Sequence, residues 1–281
     1  MKNLFSLLVL MVLAAACQHQ TPPAKTITPV ASSTRPTMLP VPADSLLLKR
    51  LAKTTDFSPL LQTVQPNATD YHNHAQNGFF GPTHYRIEMA TTQVVRDTVN
   101  PALYHVHGLS RYKKFVTPFV GTLTISKIVQ QPYYSAAEIA DMQNEHEIVL
   151  TNDPGLFSAL GTFELHEDST RLGAGIFRGQ LAIDWKRADS GQLEFYCRSV
   201  RSASHESEVR YEGTWTSYAT HRVYPVKWLE DIAYEAEQVL PRFNIGEREM
   251  AINPKYARLG WPEFWENEEW WAENPKPALN L

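Results

Sequence analysis

The sequence predicts a mainly β chain, an antiparallel β-barrel or strongly coiled sheet with a few short helices and a helical or irregular C-terminal extension. Three observations predict it. Apolar and polar residues alternate with a period of two in several runs between residues 79 and 218, the pattern of strands with one buried face. Turn formers such as Asn100-Pro101 and Asp189-Ser190-Gly191 separate those runs. An aromatic residue, a glycine and a large apolar residue recur at alternate positions, as in Phe119-Gly121-Leu123, Phe177-Gly179-Leu181 and Tyr211-Gly213-Trp215, and Gly161-Phe163 repeats part of the pattern. Glycine inside a strand costs stability, so its repetition on one face implies the close backbone approach of a small closed sheet.

Charge and composition bound the function before any motif does. The 281 residues carry 26 Lys and Arg against 30 Asp and Glu, a formal net charge of -4. Such a near balance offers no basic face, so no nucleic-acid partner is expected. With 43% hydrophobic and 11% aromatic residues the chain can bury one large core.

In chain order, residues 1–16 read as a signal peptide. Lys2 is followed by an apolar run from Leu4 to Ala16, about 20 Å long as a helix and too short for a hydrocarbon core of about 30 Å. Leu13-Ala14-Ala15-Ala16-Cys17 resembles a bacterial lipoprotein signal. That resemblance implies that Cys17 is acylated, becomes the first mature residue and holds the chain on a membrane. Gln18, where an Asp would retain a lipoprotein at the inner membrane, implies by the same resemblance an outer-membrane destination with the domain facing the periplasm. Cleavage removes Lys2 and takes the formal charge from -4 to -5. Residues 17–43 form a stalk, because Gln18 to Pro42 holds six prolines among Thr, Ser and Ala without an aromatic residue. Cys197 is then the one thiol left, so stability must come from packing rather than a disulfide. Its strand parity with Leu193 and Phe195 favours a core position over a nucleophilic one.

Residues 44–78 are a lead-in: a short helix from Asp44 to Lys53 that caps the domain, then a turn-rich segment from Asn67 to Gly81. The β domain is expected over residues 79–218. Tyr85, Ile87, Met89 and Thr91 alternate against Arg86, Glu88 and Ala90. Tyr104 to Gly108 and Phe115 to Val129 are further strands, and Ser135-Ala136-Ala137-Glu138 is a capping box that starts a helix running to about Glu147. From Ile148 strands resume; Phe177, Gly179, Leu181, Ile183 and Trp185 share one face opposite Arg178, Gln180 and Asp184, and a turn leads into Leu193 to Val200. After Tyr218 the strands are expected to stop. Trp228 to Leu240 has helical spacing, and residues 219–281 read as an extension whose Trp261, Phe264, Trp265, Trp270 and Trp271 anchor on the sheet while carboxylates face water.

Gly213-Thr214-Trp215 resembles the Gly-x-Trp element of calycin-type barrels, the lipocalin and avidin group. The Gly213 to Tyr218 segment, Lys227-Trp228, Asn253 to Tyr256 and Gly260-Trp261 are similar to segments shared by uncharacterised lipoproteins of Bacteroidota. The first resemblance implies a calycin-like barrel; the second brings no activity.

Candidate sites follow from these faces. Phe119, Phe177, Trp185, Tyr211 and Trp215 are candidates to line a cavity for a small apolar ligand, against the plainer reading that they fill the barrel. His105 and His107 point the same way on a strand and could hold one divalent metal ion. Asp70-Tyr71-His72-Asn73-His74 and Glu145-His146-Glu147 offer further ligands. Glu164, Glu167 and Asp168 could supply a carboxylate pair, and Arg111, Lys113 and Lys114 make a basic cluster at a hairpin end. There is no Gly-x-Ser-x-Gly, P-loop or His-Glu-x-x-His motif. The leading expectation is a non-catalytic envelope lipoprotein without a cofactor that binds a small apolar molecule or scaffolds an envelope protein. The alternatives are a metal-dependent enzyme at His105 and His107 and a carbohydrate-binding module on the tryptophan-rich tail.

Overall fold

The structure, a computed structural model, describes residues 45–64, 73–146, 152–233, 235–237, 239, 252–265 and 269–272, with backbone alone at 145, 146 and 265. Cys17, the stalk, Asp70-Tyr71-His72 and the side chains of Glu145-His146-Glu147 lie outside the described residues. Among those described, no helix is long and apolar enough to cross a membrane.

The chain closes into an eight-stranded antiparallel barrel with one extra strand. Its strands are β1 (Gln76–Phe80), β2 (Tyr85–Arg96), β3 (Leu103–Tyr112), β4 (Phe115–Gln130), β5 (Leu156–Glu167), β6 (Gly175–Arg187), β7 (Leu193–Phe195), β8 (Val209–Ser217) and β9 (Val223–Leu229). Each barrel strand pairs with the next one along the chain, the short β7 lies on the edge of β6, and β9 returns to pair with β1. Closure leaves no free edge in the barrel, which removes the unpaired N–H and C=O groups an open sheet would present.

Inward parity matches the alternation in the sequence. Phe119, Leu123, Phe163, Leu165, Phe177, Leu181, Ile183, Tyr211 and Trp215 all belong to one buried cluster. The glycines between them let the walls approach. A Cβ on Gly179 would fall 2.2 Å from the Glu212 carbonyl oxygen, and one on Gly213 would fall 2.0 Å from that of Arg178. These two glycines face each other across the β6–β8 pair, so neither tolerates a side chain without moving a strand.

One end of the barrel is sealed by helix α1 (Ser45–Thr54) and the single turn α2 (Ser58–Leu61). Leu48, Leu51, Leu60 and Leu61 join the core there, Phe57 packs edge-on against Trp185 at 5.4 Å, and the Tyr104 hydroxyl accepts the Phe57 N–H and donates to the Thr55 carbonyl. Helix α3 (Ala136–His146) starts with the expected capping box, Ser135 and Glu138 each accepting the other's backbone N–H.

Three segments depart from the sequence reading. Gln76–Phe80, inside the turn-rich lead-in, is strand β1, where Gly78 serves close packing rather than a turn: a Cβ there would sit 2.1 Å from the Lys227 carbonyl oxygen. The strands also do not stop at Tyr218. Trp228 and Leu229, with helical spacing to the residues after them, lie on β9, because the barrel needs an eighth strand to close. The Leu193 to Val200 strand is short, ending at Phe195.

The C-terminal extension crosses the outside of β1 and β2. Trp261 is fully buried, stacks near Phe79 at 5.2 Å and donates its indole N–H to the His84 carbonyl. Trp270 and Trp271 pack on Val64, Ala75 and Ala90. This strap makes the outer face of β2 a second buried surface, so Arg86 and Glu88 are buried although their parity is outward.

Candidate functional site: an aromatic pocket in the barrel mouth

The barrel end opposite the helices is open and holds a cavity of about 440 Å³. That volume falls within the range of about 300–1,000 Å³ usual for small-molecule sites. Phe80, Tyr112, Phe115, Phe177, Trp215 and Tyr224 form its aromatic wall, with Ile87 and Leu172 adding aliphatic surface. Phe80 is the hub, with ring centres 4.5 Å from Tyr112, 5.3 Å from Trp215 and 5.6 Å from Tyr224. These rings come from β1, β3, β4, β6, β8 and β9, so the pocket exists only when the barrel is closed.

A single carboxylate lies at the inner side of this wall. Glu167 ends β5 with inward parity, one step past Phe163 and Leu165, and is 7% exposed. Its Oε1 accepts the Ser110 hydroxyl at 2.5 Å, while Oε2 accepts the Gly175 N–H and the Trp215 indole N–H, each at 2.8 Å. Burial pushes its carboxyl above the usual range, against the pull of those three donors. Four strands are thereby tied together at the pocket floor: β3, β5, β6 and β8.

The predicted ligand residues divide by depth. Phe177 and Trp215 line the mouth cavity. Phe119 and Tyr211 do not: they lie below it with Trp228, around a void of about 10 Å³, where Tyr211 stacks on Trp228 at 4.7 Å. Trp185 is also core, at the sealed end against Phe57 and Phe157. These three fill the barrel because its middle is too narrow to hold both walls of rings and a ligand. Phe80, Tyr112, Phe115, Tyr224 and Glu167 complete the mouth. Of these Glu167 was legible as a charge at inward parity.

His105 and His107 do share a face, the outer one. His105 pairs with Asp97 at 3.0 Å, and that carboxyl is held down at about 2 by the Asn100 backbone N–H first and His105 next. Among the described residues no group of three or more His, Cys, Asp or Glu side chains is arranged to hold a metal ion. The carboxylates separate likewise: Glu164 is outside, paired with Arg178 and His166 and held at about 2, whereas Glu167 is inside. They cannot flank one substrate. Cys197 is half-buried, with burial pushing its thiol up to about 11, so it is protonated and unreactive at neutral pH. Of the C-terminal tryptophans, Trp261 is sealed and Trp270 meets Trp271 edge-on at 79°, which is not the exposed parallel platform a sugar face requires.

At the sealed end, Asp184, on the strand face opposite Phe177 and Trp185, is fully buried. It accepts from the Ser158 hydroxyl and from both the N–H and hydroxyl of Ser204, pinning the serine-rich loop after β7. That loop contains three residues with left-handed backbones, His205, Glu206 and Glu208. Glu208 faces Glu230, Asp231 and His74, and burial followed by the two carboxylates raises its carboxyl to about 7. The folded state therefore keeps a proton that the unfolded chain loses from about pH 4.5 upward. Stability from this group is complete below pH 4.5 and lost as pH rises to about 7. The full shift corresponds to about 3 kcal/mol, and about 1–2 kcal/mol remains after allowing for solvent screening of a partly exposed group. Urea unfolding at pH 5 and pH 7.5 is expected to show this decline in the wild type and to lose it in Glu208→Gln; an equal decline in both would disprove it.

A closed antiparallel barrel with one aromatic, open-mouthed pocket is thus the class that fold and site define. Comparison with protein-family models, curated proteins and solved structures finds no match.

Proposed function

We propose that this chain is a membrane-anchored envelope lipoprotein whose barrel binds a small apolar molecule in the mouth pocket. The observation that carries the reading is the aromatic cavity of about 440 Å³, open to solvent above a packed core. Rings on six strands give a large apolar contact area at little conformational cost, the composition of a binding pocket. The carboxylate that lines the pocket, Glu167, is occupied by three protein donors, which fits a structural tie beside a ligand. The anchor is argued from the lipoprotein-like signal ending at Cys17 and the proline-rich stalk behind it.

The neutral fluorophore N-phenyl-1-naphthylamine tests the pocket. It is expected to bind the wild type saturably at one site, with energy transfer from Trp215, and to lose that site in Thr117→Phe, which fills the inner wall. Circular dichroism checks that the variant is folded. Absence of saturable binding to the wild type, or unchanged binding in a folded Thr117→Phe, overturns the reading.

A further inference from the structure

The mouth pocket is not the only cavity at this end of the barrel. A groove of about 570 Å³ runs down the outer side of the rim, between the β3–β4 hairpin and the C-terminal strap. Lys113 and Phe115 line both cavities, so the two meet across the tip of that hairpin. Among the described residues the groove is lined by four cations, Arg86, Arg111, Lys113 and Lys114, and two carboxylates, Glu88 and Glu263. Arg86 and Arg111 are both engaged with Glu88. Lys113 and Lys114 form no ion pair among the described residues. Their ammonium groups lie instead over aromatic rings: Lys113 at 5.3 Å from Tyr85 and 5.2 Å from Tyr112, Lys114 at 5.9 Å from Phe115.

The chemistry is therefore polarised along one axis. At the inner end stands the Glu167 carboxylate, its oxygens already filled by protein donors, which offers an acidic group nothing. Along the middle run aromatic rings. At the outer end stand two lysines on the rim that form no ion pair among the described residues. Lys113 also holds a left-handed backbone, φ +57°, at a hairpin position where glycine would be free of cost. A lysine kept there against that cost marks the side chain rather than the turn.

We propose that the pocket takes an anionic amphiphile, its apolar body among the mouth rings and its acidic head, a carboxylate, sulfonate or phosphate, at Lys113 and Lys114 where mouth and groove join. This rests on the binding function proposed above and specifies its ligand class. A head group at this site gains two positive charges while remaining in contact with water, so it avoids the desolvation that burial beside Glu167 would impose. An apolar body of one or two rings, or a short alkyl chain, fills the volume behind it.

Two probes with the same aromatic body separate the parts of this inference: 1-anilinonaphthalene-8-sulfonate carries the charge and N-phenyl-1-naphthylamine does not. The variants are Lys113→Gly, which removes the charge and relieves the backbone, and the double change Lys113→Gly with Lys114→Glu. Thermal unfolding confirms that each is folded. In the double variant the sulfonate probe is expected to weaken at least about tenfold more than the neutral probe, with Lys113→Gly intermediate. The wild type should also lose sulfonate affinity, but not neutral affinity, as salt rises. If both probes weaken equally, or neither does, the acidic head group is wrong and the apolar pocket stands. A wild type that binds neither probe overturns the pocket and the head group together.

Discussion

Glu88→Ala is expected to cost about 3–5 kcal/mol of folding stability and to release the C-terminal strap. Glu88 is 7% exposed and gathers four donors: Arg86 at 2.9 Å, two nitrogens of Arg111 at 2.5 and 2.9 Å, and the Trp270 indole N–H at 3.2 Å. Around it, the Arg111 guanidinium lies over the Trp270 ring and that of Arg86 over Phe264. Removing the carboxylate takes a buried anion away from Arg86, itself 5% exposed and also donating to the oxygens of Asn77 and Gly260, and from Arg111. Loss of the buried anion from between two guanidinium groups is the costly result, more than the hydrogen bonds themselves. The same cut removes the polar hold on Trp270. Chemical denaturation should therefore report the loss of stability, and a red shift of tryptophan emission below the unfolding midpoint should report strap release. Glu88→Gln, which keeps acceptor capacity without the charge, is expected to lose about half as much. A Glu88→Ala protein within 1 kcal/mol of wild type would mean that the strap does not depend on this carboxylate.

What the sequence discloses of this architecture follows the range of the contacts involved. Inward parity on β2, β5, β6 and β8 is a local, two-residue property, so Ile87, Phe163, Phe177 and Tyr211 are legible as core. The capping box at Ser135 and Glu138 is equally local and also holds. The misses have partners far along the chain. Arg86 and Glu88 read as a solvated face because the strap that covers them lies 174 and 182 residues downstream. The segment holding Trp228 and Leu229 has helical spacing, and pairing with β8 on one side and with β1, about 150 residues earlier, on the other makes it a strand. Pro225 is accommodated within this strand, where its carbonyl accepts the Gly81 N–H at 2.8 Å. The mouth pocket was half legible for the same reason. The repeated aromatic faces announce rings inside a barrel, but which rings meet open space depends on where helices α1 and α2 close the other end. Trp185 therefore fills the sealed end and Trp215 borders the cavity, although the two positions look alike in sequence.

Glu167→Leu and Glu167→Gln are expected to differ sharply, and the difference separates the carboxylate's hydrogen bonds from its charge. Leucine leaves the Gly175 N–H and the Trp215 indole N–H without an acceptor; the Ser110 hydroxyl can still reach the Thr117 carbonyl at 3.3 Å. Each orphaned donor costs about 1–3 kcal/mol, so a loss of about 3–4 kcal/mol follows, tempered by water entering from the adjoining pocket. Glutamine can do better. Its Oε1 can take the two N–H donors that Oε2 now accepts, and its amide can donate to Ser110 once that hydroxyl turns to accept. The Gln variant should therefore remain within about 1 kcal/mol of wild type at neutral pH. The pH dependence carries the other half of the argument. Burial raises the Glu167 carboxyl in the folded state, so that state binds its proton more tightly than the unfolded chain. Its contribution is complete below the usual carboxylate range and is lost as pH rises through the folded value. Glutamine, with nothing to ionise, should remove that slope, and at neutral pH it can equal or exceed the wild type. A Glu167→Gln protein that loses as much as Glu167→Leu would show that the negative charge itself, and not the acceptor geometry, holds the four strands at the pocket floor.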